Sequence, residues 1–272
     1  MDAQDSGEHP VRVALAQLAA GLDPEDNRAR VAALADDEQV AAAHLVVLPE
    51  AMARAFGSPD DDLAPFAEPL DGAFATAIDA LAGDERTVVA GMFERREAGH
   101  PFNTLVMRGR STADYRKIHL YDSFGYRESE RLSAGEWHPV NVNLGGLRFG
   151  LMTCYDLRFP ELARELVDAG ADVLLVPAAW VAGRTPEEHE VKVEHWRTLV
   201  RARAIENVSY VVAVGQPGPR YTGHSMVVDP AGRVVAEAGA DEEVLTAELR
   251  SSVVRAAREA NPSLGNRRRP PR

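Results

Sequence analysis

Residues 149–164 read FGLMTCYDLRFPELAR. An apolar strand, Leu147 to Thr153, runs into a polar turn holding Cys154, Tyr155, Asp156 and Arg158. Pro160 then opens a helix to Ala169, and Gly170 stops it. A second apolar run, Asp172 to Val176, is ended by Pro177. Upstream, Gly145-Gly146 joins Asn141–Leu144 to the first strand, which is a hairpin signal. Strand, turn, helix and strand in this order form the repeating unit of a layered α/β fold.

The same pattern extends in both directions. Val11 to Leu18 reads as a strand, and Pro24 to Ala43 as a helix capped by Asp23. His44 to Leu48 is a buried strand ended by Pro49, with Glu50 next. A helix is expected over Pro65–Ala82, then strands over Thr87–Phe93 and Thr104–Arg108, with a turn at Gly99 to Pro101. Tyr115 to His119 is a polar group in a strand-like stretch. After the central unit come a long helix, Glu188–Asn207, and four strands: Tyr210–Gly215, His224–Asp229, Val234–Glu237 and Val244–Leu249. Pro230 to Gly232 forms a tight turn among them. Late strands with short turns pair antiparallel, so the sheets are expected to be mixed.

Composition narrows the function. The chain has 272 residues, 45% hydrophobic and 26% charged, which is globular and large enough for a substantial core. Its formal charge of −12 argues against a general nucleic-acid binder or an anionic-membrane binder, since both need a basic face. A single cysteine rules out an intrachain disulfide framework and any multi-cysteine metal site. No apolar run reaches the length of a membrane span. Met1 to Pro10 is acidic and lacks the pattern of a signal peptide, so a soluble cytoplasmic protein is expected. Arg267 to Arg272 reads as a short, basic, solvated tail.

Chemistry is expected where strands end, because open α/β folds gather reactive groups beyond the carboxyl ends of their strands. Glu50 and Cys154 both occupy such positions. Taken alone, Cys154 also reads as an inert core cysteine, Glu50 as a surface carboxylate and Lys117 as a solvated lysine. A sharp strand-to-helix turn, however, can present a nucleophile, and its backbone N–H groups can bind an oxyanion. A thiol needs a base to take its proton, and a nearby cation lowers its pKa. None of the eight histidines is marked by its setting as that base. There is no HExxH, and His189 and His195 are six apart, so a metal site has little support.

Three motifs together carry a resemblance: LVVLPEAM around Glu50, YRKIHLYD around Lys117, and GLMTCYDLRFPELAR around Cys154. The chain resembles the nitrilase superfamily of carbon–nitrogen hydrolases, and weaker likeness runs through DVLLVPAAW, HWRTLVRARAIEN and GHSMVVDPAGRVV. The resemblance covers about residues 10–268 and implies one α/β domain, an αββα four-layer sandwich with mixed sheets. It implies a Glu–Lys–Cys triad that uses no metal or cofactor: Glu50 as general base, Lys117 as oxyanion stabiliser and Cys154 as nucleophile. Glu128, in YRESERLSAGE, fits the place of a second glutamate that positions Lys117 and the substrate amine. The backbone N–H of Tyr155 is the natural second oxyanion donor.

Cys154-Tyr155-Asp156 departs from the Cys-Trp-Glu of true nitrilases and is similar to the branch of omega-amidases and deaminated-glutathione amidases. Those enzymes hydrolyse the terminal amide of small 2-oxo-dicarboxylate monoamides. The expected partner is therefore a small-molecule amide, and the alternatives are carbamoyl or nitrile hydrolysis, acyl transfer, or a non-catalytic interaction protein. A carboxylate-bearing amide needs a cation, for which Arg158, Arg127 and Arg184 are candidates; taken alone, Arg158 reads as a structural ion-pair partner of Glu161 or another carboxylate. Tyr121, Phe124 and Trp180 are candidate pocket walls or core residues. Gly183–Glu194 reads as an exposed charged loop, longer than in compact amidases. A homodimer or larger homo-oligomer is implied, with contacts through His195–Asn207 and Pro160–Val167.

Overall fold

The computed structural model describes residues 9–268. Its strands in chain order are β1 Val11–Gln17, β2 Leu45–Val47, β3 Thr87–Glu94, β4 Phe102–Gly109, β5 Ala113–Arg116, β6 Asp122–Ser123 and β7 Tyr126–Arg127. They continue as β8 Asn141–Leu144, β9 Leu147–Leu151, β10 Val173–Ala178, β11 Tyr210–Gly215, β12 Met226–Val228, β13 Val234–Glu237 and β14 Glu243–Leu249. The helices are α1 Pro24–Ala33, α2 Glu38–Ala41, α3 Ala73–Ala82, α4 Pro160–Asp168, α5 Pro186–Asn207 and α6 Ser251–Ala260.

Two six-stranded mixed sheets form the centre, ordered β14-β1-β2-β3-β4-β5 and β13-β12-β11-β10-β9-β8. Within them β1, β2 and β3 run parallel, as do β9, β10 and β11. The strand period of two sorts the first sheet's side chains. Val13, Leu15, Leu45, Val47, Val89 and Leu105 face a core shared with Phe149, Leu151, Val173 and Val211 of the second sheet. Their neighbours Ala14, Ala16, Val46, Val88 and Val106 face Val31, Val40, Phe74 and Ile78 of α1, α2 and α3. On the far side, α4 packs on β9 and α5 on β11, burying Leu162, Leu166, Trp196 and Val200. The layers are therefore α, β, β, α.

Several expected boundaries shift. The helix expected over Pro24–Ala43 breaks after α1 into a 3-10 turn, Leu34–Asp36, and the short α2. Asp37 is the cause: its carboxylate accepts the N–H groups of Gln39 at 2.8 Å and Val40 at 3.1 Å and so starts a new helix. The helix expected from Pro65 begins only at Ala73. Pro69 and Gly72 interrupt it, and Glu68 accepts the Phe74 N–H at 2.7 Å. Strand β10 continues past Pro177, because β9 pairs with it only as far as Leu175 and asks nothing of the missing N–H beyond.

Gly183–Glu194 is not a loop, since α5 starts at Pro186 with Thr185 as its cap. A threonine cap, Pro at the first turn and Glu187 and Glu188 behind it are helix-start signals, which the even spread of charge obscures. Helix α6 goes beyond the expected elements: SSVVRAAREA separates apolar from charged residues at helical spacing, and the helix buries Val254. Of the basic C-terminus, Arg267 is not a free solvated charge: it pairs with both oxygens of Asp168, at 2.6 and 2.8 Å. Residues 1–8 and 269–272 lie outside the described residues. Among the described residues no helix is long and apolar enough to cross a membrane.

Candidate active site

The parallel strands deliver three side chains to one place. Glu50 comes after β2, Cys154 after β9 and Trp180 after β10. All three line a cavity of about 730 Å³. Lys117, just past the end of β5 rather than within it, reaches the same cavity from the edge of the first sheet. Glu128, Tyr121, Phe124, Tyr155, Arg158 and Arg184 line it too, so of the candidate catalytic and pocket residues named in the sequence only Arg127 stays outside.

A buried charge cluster forms its floor. Lys117 Nζ donates to Glu50 Oε1 at 2.9 Å, and to Glu128 Oε2 and Oε1 at 2.8 and 3.1 Å. These three residues are at most 2% exposed. Burial alone would discharge the lysine, but Glu128 and Glu50 outweigh it and hold its pKa well above the ordinary value. Burial also raises the pKa of Glu128, against the opposing pull of Lys117.

Cys154 starts a 3-10 turn with φ at 46°, a left-handed conformation uncommon outside glycine. Burial, and after it the Glu50 charge, push its thiol pKa well above the usual value, while Lys117 pulls it down. The lysine thus favours the thiolate as expected, but it does not win.

Residues that carried no signal in the sequence complete the cluster. Asn103 donates to Glu50 Oε1 at 2.7 Å and Glu128 Oε1 at 3.1 Å. The Ala179 N–H donates to Glu50 Oε2 at 2.7 Å, and the Gln216 amide donates to the Glu50 carbonyl, also at 2.7 Å. Gly91 leaves room for this backbone: a Cβ there would overlap Ala51 N and lie 2.7 Å from Glu50 Cα.

The cavity wall is aromatic and cationic. Tyr121 packs edge-on against Tyr155 at 5.0 Å, and burial pushes its hydroxyl pKa up to about 12. Phe124 and Gly125, both with positive φ, form the tip of the small β6–β7 hairpin at the mouth. Arg158 makes no ion pair with Glu161 or with any other carboxylate among the described residues. Its guanidinium lies 4.8 Å over the Trp180 ring, and its Nε lacks a partner.

Lys192, from α5, sits 3.5 Å over the Phe124 ring; burial and then the Arg158 charge lower its pKa. His195 is lowered by the same causes, and its buried Nδ1 is unpartnered. Arg184 lines the cavity, whereas Arg127 does not: it is exposed and faces Glu130 at 3.5 Å. Among the described residues no three His, Cys, Asp or Glu side chains are grouped so as to hold a metal ion.

This arrangement can deprotonate a thiol and stabilise a negative charge beside it. Residues 12–259 match the family described as carbon–nitrogen hydrolase. The chain is 40% identical over 269 residues to the Mycobacterium tuberculosis protein named hydrolase Rv0480c, with 92% of each chain covered. It is 42% identical over 172 residues to a deaminated glutathione amidase of Escherichia coli O157:H7, covering 62% of this chain and 63% of the other. In structure it is similar to an amidase from Nesterenkonia, with a TM-score of 0.77, 26% identity and coverage of 98% and 97%. That glutamate-to-glutamine mutant of the amidase carries the acetamide moiety of fluoroacetamide covalently on its active-site cysteine.

Proposed function

Because the chain belongs to the carbon–nitrogen hydrolase family, we propose that it hydrolyses a small linear amide through a thioester on Cys154. The observation that carries this reading is the buried Lys117 ammonium, held between Glu50 and Glu128 in the cavity that also exposes the only thiol.

Glu50 takes the thiol proton as Sγ attacks the amide carbon, a role that suits a thiol whose pKa burial and the Glu50 charge push upward. The carbonyl oxygen becomes an oxyanion, held by the Lys117 ammonium and the Tyr155 N–H. Glu50 returns its proton to the leaving nitrogen as the C–N bond breaks, so ammonia departs and the acyl group stays on sulfur. Glu50 then takes a proton from water, the hydroxide attacks the thioester, and the acid leaves as the thiol is restored. Glu128 keeps Lys117 charged and aimed throughout. The Nesterenkonia adduct supports a covalent cysteine in this fold.

The acyl group, in this reading, carries a carboxylate. Arg158 and Lys192 support that reading, since among the described residues they line the cavity without forming an ion pair, in a protein of net charge −12. The relatives named deaminated glutathione amidase agree with it. A reducing compartment such as the cytoplasm suits a mechanism built on one free thiol. The active form is a homodimer in this reading. Ile205, which packs over Gly232, and the adjacent Val234 and Val235 on the edge strand β13 support it as an exposed apolar patch. A monomer by light scattering at micromolar concentration would contradict the dimer.

Ammonia release is the test, with Cys154→Ala as control, over 2-oxoglutaramate, 2-oxosuccinamate, simple aliphatic amides, a nitrile and a carbamoyl amino acid. Cys154-dependent release from the amides is expected. Turnover of the nitrile or carbamoyl compound alone would overturn the amidase reading.

A further inference from the structure

Lys117 and Cys154 must be set against each other, yet they come from different sheets: one lies just past β5 and the other just past β9. One buried carboxylate, outside the charge cluster, joins the two segments. Asp156 is fully buried. Its Oδ2 accepts the Tyr115 hydroxyl at 2.7 Å and the Thr153 N–H at 2.9 Å. Its Oδ1 accepts the His119 N–H at 3.0 Å and lies 2.7 Å from His119 Nδ1. With a carboxylate opposite, Nδ1 carries the proton and donates. Four donors fill the four lone-pair sites of Asp156.

The spacing is decisive. Tyr115 and His119 stand two residues to either side of Lys117, and Asp156 stands two residues after Cys154. The Thr153 N–H bond also closes the turn around Cys154, whose left-handed backbone persists only if its surroundings hold it. His119 is itself clamped. Its ring lies flat on Phe159 at 3.7 Å and meets Trp137 edge-on at 5.9 Å. Asp156 is the titratable side chain that faces it.

We propose that His119 and Asp156 are a positioning pair, which sets Lys117 against the Cys154 sulfur and holds the nucleophile turn in its left-handed form. Neither is assigned a contact with substrate. The pair acts through the lysine and the thiol, so it rests on the roles given above to those two residues.

The test compares His119→Ala, His119→Asn and His119→Gln. Asparagine places an amide N–H where Nδ1 stands, whereas glutamine carries it too far to meet Asp156. The first readout uses no substrate: the rate of Cys154 alkylation by iodoacetamide across pH 6 to 10, on protein shown by circular dichroism to be folded. Lys117 is the group that pulls the thiol pKa down, against Glu50 and Glu128. Its displacement therefore lowers the thiolate fraction across this range and slows alkylation at pH 8 by about threefold or more in the alanine and glutamine variants. Asparagine restores the wild-type profile.

The second readout is turnover. In the alanine variant kcat falls about a hundredfold with little change in KM, the scale of a misplaced catalytic group. Should the alanine variant not fold, the asparagine and glutamine pair decides. Equal alkylation profiles for those two, or a wild-type profile in a folded alanine variant, would overturn the proposal. If no amide is turned over at all, the amidase reading falls, and the alkylation readout still decides the positioning pair.

Discussion

Glu128 grips the Lys117 ammonium with both carboxylate oxygens, at 2.8 and 3.1 Å, and both residues are at most 2% exposed. Removing one partner of a buried ion pair leaves the other charge uncompensated and costs about 3–5 kcal/mol. Glu128→Ala is therefore expected to lower the denaturant midpoint clearly and to cut kcat by about a hundredfold, since the lysine loses its aim. Glu128→Gln keeps the shape and loses the charge, so its stability falls less while its kcat falls nearly as far. Chemical denaturation and steady-state kinetics on both variants check this. Wild-type values in either measurement would remove Glu128 from the cluster's working parts.

The raised pKa of Cys154 has a sign that can be tested. Burial and then the Glu50 charge lift it, so thiolate accumulates only above the pH at which an exposed cysteine ionises. Alkylation of the wild type by iodoacetamide should still be climbing where a free thiol has levelled off. Glu50→Gln removes one of the lifting charges. Its alkylation profile is expected to shift to lower pH even as turnover stops, because the base is gone. A variant in which reactivity and turnover fall together would contradict this account of the thiol.

Gly91 sets the place of Glu50 without touching substrate. A methyl group on it would run into the backbone of Glu50 and Ala51, which cannot give as a flexible side chain can. Gly91→Ala should leave secondary structure intact by circular dichroism yet lower kcat by about a hundredfold, as expected for a displacement near 1 Å. Gly83→Ala is the contrasting variant, since no atom lies within 4 Å of its Cβ position. It meets backbone strain only, at φ 55°, and should lose stability without a comparable loss of kcat. Equal kcat losses in the two would remove the packing argument.

The sheets and the placement of the main side chains were legible for a local reason. Apolar runs with period two, ended by proline or by a polar turn, announce both the strands and the reactive positions just beyond them, and Glu50 and Cys154 stand at such ends. The illegible part depends on distance along the chain. Asn103, Ala179 and Gln216 bond to Glu50 across separations of 53, 129 and 166 residues, and no local pattern marks them. The exposed setting expected for a lone Glu50 failed for the same reason, because its partners arrive only on folding and make full burial tolerable. Lys192 and His195 were hidden differently. Helix α5 carries charge on every side, so its cavity-facing cations do not stand out from its solvent-facing ones.

Those two residues, with Arg158, lead to a prediction about substrate choice. Among the described residues neither Arg158 nor Lys192 forms an ion pair, and burial and then Arg158 itself lower the Lys192 pKa against the smaller opposing pull of Glu188. A like-charged pair beside a cavity gains most from a ligand that brings the missing negative charge. Wild-type kcat/KM should therefore favour glutaric monoamide over neutral pentanamide by about tenfold or more, the scale of a hydrogen bond to a charged group. Lys192→Glu reverses one charge of the pair and should reduce that ratio below unity, with the change mainly in KM. Lys192→Gln should fall between them. The order wild type, glutamine, glutamate in the ratio is the signature of charge recognition. A constant ratio across the three would show that the cations serve the aromatic wall, where Arg158 lies over Trp180 and Lys192 over Phe124, and not the substrate.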